Sequence, residues 1–418
     1  MKLHPMIVAL RRHKAGVVLI TLQIALTLAI VCNAIFIIGQ RIQRVNRPTG
    51  LDEQNLFLVS SQRFGTPTDG DPASIEKLDS LQRQDLAALR NLPDVTSVTP
   101  VSSLPLFNQS SDGTMSAEPG MDARKAADTR FAYYYGDEQM VSTLGLRLLV
   151  GRNFNAGDVQ SPGGREQPSP ATVIVTKALA DKRFPHGDAV GKVVYLDGSA
   201  VPTTIIGEIA RMQTPSTANW GNNFAWNSVL VPSPIIANYS LYAVRAKVGR
   251  MQSAMREVTP VLYKVDPLRV LDDDSIKSFS DIRAKEYRAD VGMAILMSVI
   301  CLILLAVTAA GIVGLTSFWV GQRRKQIGVR RALGARKVDI LRYFQIENLL
   351  IAGTGVAIGV LLARGLNLWL MTRYEMTRMP AWYVLTGVLA MLAMGQAAVF
   401  VPARRASNVP PVVATRSV

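Results

Sequence analysis

Hydrophobic residues in this chain gather on two length scales. On the longer scale, four stretches run without a charged side chain: Ala15 to Gln40, Val291 to Val320, Asn348 to Ala363 continued by Leu366 to Met371, and Ala381 to Ala403. A helix needs about 20 such residues to cross the hydrocarbon core. The pattern therefore predicts transmembrane helices at 15–40, 291–320, 343–371 and 381–402. The second has 30 uncharged residues, about 45 Å of helix at ~1.5 Å per residue against a core of about 30 Å, so its surplus must tilt or project. The first, with 26 uncharged residues, exceeds the apolar region of a secretory signal and lacks a small-residue cleavage site at its end. It is expected to stay attached as an anchor.

On the shorter scale, residues 41–273 alternate in the periods of strands and amphipathic helices. LFLVS at 56–60 and VTSVTPV at 95–101 read as strands on either side of a helical run from Ile75 to Asn91. From 102 to 170 Ser, Gly, Pro and Asp dominate, interrupted by the aromatic strand RFAYYY at 130–135 and a short helix around Glu138 to Gly145. TVIVT at 172–176, a helical KALADKRF, and a hairpin of GKVVYLDG and TTIIGEI turned by Asp197 and Gly198 follow. WNSVLVP and LYAVRAKV add strands, and Met251 to Tyr263 adds a helix. This order predicts a mixed α/β domain with an inserted subdomain at about 102–220. From 274 to 290 neither Pro nor Gly interrupts a polar, helix-favouring run, which predicts a stalk helix entering the second span. The expected fold is an α-helical membrane protein with four transmembrane helices and a large extracytoplasmic mixed α/β domain on helical stalks.

Net charge changes the picture once it is partitioned. The total of +15 would suggest nucleic acid, yet residues 1–16, the loop 321–342 and the tail after Pro402 together carry +14 of it. Segment 41–290 holds 28 basic and 28 acidic side chains, so no nucleic-acid groove is expected. Positive residues favour the cytoplasmic side, which predicts cytoplasmic termini and middle loop and an external segment 41–290. Nine basic residues near the outer ends run against this rule: Arg41, Arg44, Arg47, Lys277, Arg283, Lys285, Arg288, Arg373 and Arg378. Residues 1–14 place Leu3, Met6, Ile7 and Leu10 at helical spacing beside basic residues, as a helix lying on anionic membrane lipids would. Cys32 and Cys301, the only cysteines, fall inside predicted spans and leave the external domain without a disulfide.

Catalytic machinery is sparse. His4, His13 and His186 lack metal-ligand spacing. GDAVGKV at 187–193 has three residues between its glycines where a phosphate loop has four, and Val193 stands where Ser or Thr would hold magnesium, so it reads as a turn. Asp272, Asp273 and Asp274 read as a helix N-cap ahead of a cation site. Glu347 and Arg364 are ionisable residues close to the third span, and each is placed to snorkel to an interface. No catalytic, metal or cofactor site is expected. Gly311 and Gly314, with Gly355 and Gly359 in a GxxxG, are candidates for close helix packing, within the subunit ahead of a dimer interface.

The loop RRKQIGVRRALGARKVDILRYFQIEN at 323–348 carries more information. Ile327, Val329, Ala332, Leu333, Ile340, Leu341 and Phe344 alternate with Arg and Lys, which predicts a short amphipathic helix. Gly328 and Gly334 permit a cap or a close approach, and a small-residue knob suits a partner's groove. From these residues alone, a membrane-surface helix fits equally well.

RRKQIGVRRALGARK followed by FQIEN resembles the cytoplasmic loop of the permease family that includes MacB, LolC, LolE and FtsX. VPARRASNVPPVVATR at 401–416 is similar to that family's ending, and VIVTKALADKRFPHGDAVGKVVYL at 173–196 resembles its MacB-like periplasmic core domain. Gln326, Pro410 and Thr415 depart from the usual pattern. The resemblance implies a type VII ATP-binding cassette permease of the bacterial inner membrane. In it, Ile327, Gly328, Val329, Arg330, Arg331, Ala332, Leu333, Gly334 and Ala335 would form the coupling helix that contacts a cytoplasmic ATPase dimer. ATP and magnesium would belong to that ATPase. The short segment ahead of the first span leaves no room for it, so it is expected on another polypeptide. A second permease subunit is implied, with a heterodimer favoured over a homodimer, together with a periplasmic adaptor and an outer-membrane channel. The implied function is mechanotransmission driving export of a peptide, antibiotic or lipoprotein-type substrate. The alternative is an FtsX-like regulator of cell-wall hydrolases, whose external domain is usually smaller. A stand-alone receptor is disfavoured, because no signalling module is encoded.

Overall fold

The computed structural model describes residues 14–64, 72–109, 111–122, 124–160, 169–217, 219–374 and 377–408. Apart from Lys14, the predicted amphipathic segment 1–14 lies outside them, as does the tail from 409 onward. The chain divides into two compact units, Met1–Asn46 with Ala289–Val418, and Arg47–Arg288.

In the first unit four helices are long and apolar enough to cross a membrane: Lys14–Val45, Arg288–Gln322, Lys337–Tyr374 and Ala381–Ser407. Each runs past its predicted span, because the charge that ends an apolar stretch does not end a helix. The first helix packs on the third and fourth, burying Ile24, Leu28, Cys32 and Phe36 with Ile351, Val356, Val384 and Met391. Phe36 meets Tyr383 edge to face at 5.3 Å between centroids. The second helix touches this bundle through Ile312 and Trp319, and through a hydroxyl bond between Thr27 and Thr308 at 2.8 Å. Near the connection between the third and fourth helices, Trp369 and Trp382 stand 57% and 55% exposed, as aromatic residues do at a membrane interface.

The second unit contains two sheets. One has strands β1 (Leu56–Arg63), β2 (Val95–Pro100), β10 (Tyr239–Ala246), β11 (Arg269–Val270) and β12 (Ile276–Ser278), in the order β11-β1-β10-β2 with β12 also on β1. Helices α1 (Pro72–Arg90) and α4 (Met251–Val265) turn Leu89, Val258 and Leu262 onto Phe57, Val59, Tyr242 and Val244 of this sheet. A polar cluster is buried beside it. Asp85 accepts from Arg63, from Tyr242 Oη at 2.8 Å and from Arg269 Nη2 at 2.6 Å, and the side chains of Arg63, Asp85 and Arg269 are 0% exposed. Asp266 lies 3.6 Å from Arg63 and balances the second positive charge.

The other sheet holds β3 (Asp112–Ser116), β4 (Arg130–Tyr135), β5 (Leu148–Gly151), β6 (Thr172–Thr176), β7 (Val193–Leu196), β8 (Thr203–Ile209) and β9 (Ser228–Val231). Its order is β5-β8-β6-β9-β4-β3-β7, and β7 also pairs β8, so six strands close into a ring and β5 is added outside. Closure removes the sheet edges and encloses Phe131, Tyr133, Val173, Val175, Ile205 and Val229. The short helices α2 (Met140–Thr143), α3 (Lys177–Arg183) and α5 (Phe279–Glu286) complete the unit.

Several boundaries differ from the sequence pattern. WNSVLVP was expected beyond the inserted subdomain, yet β9 pairs β4 and β6, so the insertion extends to Val231. Asp197 and Gly198 do turn the chain at positive φ, but β7 pairs β8 through Val193 and Val194 alone before crossing to β3. The acidic triplet is not a helix N-cap. Asp274 pairs Lys277 at 2.6 Å and Lys285 at 3.3 Å, Asp272 bonds Ser275, and the true cap is Ser278, which accepts from Asp281 N at 3.1 Å. The expected stalk at 274–290 is likewise not one helix. Residues 276–278 are drawn into the sheet as β12, Phe279 and Ile282 are buried in the domain, and the helix α5 stops at the buried Tyr287 before the second membrane helix begins. The unit therefore starts at Arg47 and ends at Arg288, where hydropathy placed 41 and 273.

Candidate functional site

The loop between the second and third membrane helices folds as a nine-residue helix, Arg324–Ala332. Its apolar residues are too few to bury a whole side, and it rests on the bundle through Ile327 and Gly328, both buried. One turn on, Arg331 donates from Nη1 to the Ser407 carbonyl at 3.0 Å, tying the loop to the end of the fourth helix. The Arg330 guanidinium lies 5.2 Å from the centroid of Tyr343, on the third helix.

Both ends of the loop helix have a chemical reason. Gly334 adopts φ +95°, Ala335 N donates to Arg330 O at 3.0 Å, and Gly334 N donates to Arg331 O at 3.1 Å. These are the paired bonds of a glycine-terminated helix, which satisfy carbonyls left open at its last turn. The third helix then starts with Asp339 Oδ2 accepting from Arg336 N at 3.0 Å. At the other end, Arg323 Nη1 lies 3.0 and 2.9 Å from the two carboxylate oxygens of Glu347. Glu347 was expected to snorkel to an interface. It is instead 2% exposed, because this ion pair lets its charge stay inside the bundle.

What remains outside is a compact surface. Leu333 is 82% exposed, Val329 and Val338 are 44% and 54% exposed, and Gly334 has open space where a side chain would stand. Arg324, Lys325, Arg330, Arg336 and Lys337 are exposed around them, as is Ala332, while Ala335 is half-buried. An apolar knob ringed by cations can enter a groove with an apolar floor and an acidic rim. Of the nine residues singled out from the sequence, Ile327, Gly328 and Arg331 hold the loop in place, and Val329, Leu333 and Gly334 face outward. Of the residues that position the loop, Arg323, Tyr343 and Ser407 were not singled out, and Glu347 was named only as a snorkelling residue. Their only sequence signal is opposite charge at the two membrane edges of the loop.

The small residues also separate. A side chain at Gly355 would meet Thr21 O at 2.9 Å and Ile24 at 3.0 Å, and one at Gly359 would meet Ala25 O and Leu28 at 3.0 Å. Both face the first helix of the same chain. Gly387 of the fourth helix, not flagged by any motif, lies against Cys32 in the same way. Gly311 has the Gln23 side chain at 2.9 Å, and Gly314 has nothing within 4 Å.

Residues 18–261 match the family described as MacB-like periplasmic core domain, more than half of the chain, and residues 298–411 match the FtsX-like permease C-terminal family. The macrolide export ATP-binding/permease protein MacB of Bordetella avium is 26% identical over 97% of this chain and 58% of its own length. That of Neisseria meningitidis serogroup A is 27% identical over 71% of this chain and 45% of its own. The chain thus spans about half the length of the curated relatives it matches. Among solved structures, the periplasmic region of MacB from Actinobacillus actinomycetemcomitans aligns at 16% identity and TM-score 0.33, covering 58% of this chain and 97% of that one.

Proposed function

This chain belongs to the MacB/FtsX-type family of ATP-binding cassette transporter permeases, and from that premise we propose that it converts ATP hydrolysis by a cassette ATPase into movement of its extracytoplasmic domain, driving export. The observation that carries this reading is the loop helix Arg324–Ala332. It is anchored to the bundle at Ile327, Arg331 and the Arg323–Glu347 pair, while Leu333 stays 82% exposed among cations. Such a helix receives force from a partner and passes it to the ends of three membrane helices. A peptide, antibiotic or lipoprotein-type substrate is the class we assign, handled on the outer side of the membrane. A second permease subunit, different from this one, completes the transporter, with a periplasmic adaptor and an outer-membrane channel carrying substrate onward. The match to the MacB-like core domain favours export over regulation of wall hydrolases.

The test is coupling. Leu333→Glu places a charge in the proposed groove without touching the anchors, whereas Gly334 at φ +95° and the anchored Arg331 would disturb the loop itself. We expect substrate-stimulated ATP hydrolysis of the reconstituted transporter to fall at least about tenfold, the loss of roughly 1.4 kcal/mol of docking, with membrane insertion and protease pattern unchanged. Full stimulation in the Leu333→Glu transporter rejects the docking role.

A further inference from the structure

Several of the basic residues near the outer ends of the spans have carboxylate partners. Arg41 and Arg44 share Asp290, Glu53 holds Arg283 at 2.9 Å from its Nε, and Lys277 and Lys285 share Asp274. A further cationic set gathers around Trp226 within the extracytoplasmic unit. The Arg47 and Arg211 guanidinium carbons lie 5.9 and 5.2 Å from the Trp226 ring centroid. Arg47 Nη2 donates to Asn222 Oδ1 at 3.2 Å, and Lys182 Nζ donates to the Asn223 carbonyl at 3.1 Å, which brings a third cation to the same short segment. Among the described residues neither Lys182 nor Arg211 has a carboxylate partner.

The backbone builds this cluster. Gly50 stands at φ +91°, and any side chain there would collide with the Arg211 carbonyl. Gln213 N donates to Thr49 O at 2.8 Å, so residues 47–50 lie directly along 211–213. Covalent continuity then keeps it close to the end of the first membrane helix. Arg47 is two residues beyond Val45, where the first membrane helix ends, and at ~3.8 Å per residue its Cα stays within about 8 Å of that end.

We propose that Arg47, Lys182 and Arg211 around Trp226 form a binding site for the phosphate headgroup of an anionic phospholipid in the leaflet facing this domain. Guanidinium forks match phosphate geometry, and an aromatic ring flanked by cations is suited to the headgroup layer. Lys182 and Arg211 are exposed, so the site is open and depends on a ligand held at high local concentration. A bilayer supplies one. Lipid bound here steadies the base of the domain against the membrane and gives it a surface to move upon.

The test uses the full-length protein in nanodiscs of equal phosphatidylglycerol and phosphatidylcholine, with retained lipids counted by native mass spectrometry. Each interfacial cation contributes about fivefold to anionic-lipid affinity. We therefore expect the tightest phosphatidylglycerol to be released roughly 25-fold more readily from Lys182→Gln/Arg211→Gln, with phosphatidylcholine unchanged. Lys182→Arg/Arg211→Lys should restore retention, which separates charge from folding. Equal retention in wild type and the double Gln variant overturns the proposal. So does loss of the lipid only in the loop variant Arg324→Gln/Lys325→Gln, or its displacement by inorganic phosphate, which would mark a soluble-anion site.

Discussion

In its most apolar 18-residue window the first membrane helix is 44% buried, and the second, which leaves the extracytoplasmic domain, is 17% buried. Both are strongly apolar, the second somewhat more so, and hydropathy marks each as a span without saying how it packs. Contact chemistry does. Lipid tails are as apolar as leucine, so helices associate in a bilayer through close approach at small residues and through interhelical hydrogen bonds. The first helix receives Gly355, Gly359 and Gly387 from its neighbours, and Asn33 Nδ2 donates to the Ala363 carbonyl at 3.1 Å. The second offers Gly314 to open space and turns Ile295, Leu296, Leu302, Ile303 and Val307 outward. The first helix is thus the fixed post of the bundle. The second makes fewer such contacts, and its apolar face is turned outward.

Ion pairs stand at both ends of the second helix, Asp290 with Arg41 and Arg323 with Glu347, and the second of them gives the largest expected effect. Glu347→Gln leaves Arg323, 14% exposed, without a counter-charge at the start of the loop. Unfolding of the purified protein in detergent should show a loss of roughly 2–4 kcal/mol. An unchanged midpoint would mean that the second helix is tethered elsewhere. Next comes a paired substitution that tests the contrast itself. Gly359→Leu forces a side chain into Ala25 and Leu28 and should cost about 1–3 kcal/mol, whereas Gly314→Leu meets nothing and should be neutral within about 0.5 kcal/mol. Equal cost at both sites, read by the same unfolding assay, would erase the distinction between the two helices. The smallest effect is expected at the hydroxyl bond between the two helices. Thr27→Val removes one partner of Thr308 and should cost about 0.6 kcal/mol; a loss several times larger would show that the second helix is held along its length.

Much of the architecture was legible without coordinates. Four uncharged stretches, a neutral α/β segment between the first two, and the loop RRKQIGVRRALGARK identify a family and a candidate docking surface. The limits were specific. Glu347 looked like a snorkelling residue because its partner Arg323 is 24 positions away, at the turn before the loop helix. Residues 274–290 read as one helix because local propensity favours it, while β12 and the burial of Phe279 and Ile282 are decided by the sheet they join.

Hydrophobic length and the placement of charge, both local quantities, predict from the sequence alone four helices long and apolar enough to cross a membrane and a large α/β domain between the first two. Glycine at 334 determines where the loop helix stops, since that position adopts a positive φ suited to a residue without Cβ. Tertiary structure alone decided the rest: which glycines meet a backbone, the ring closed by β7 on β8, the Asp85 cluster, and the cations gathered around Trp226. Each of these depends on groups distant in sequence. Their energies arise from desolvation and close contact, which exist only after the chain has brought them together.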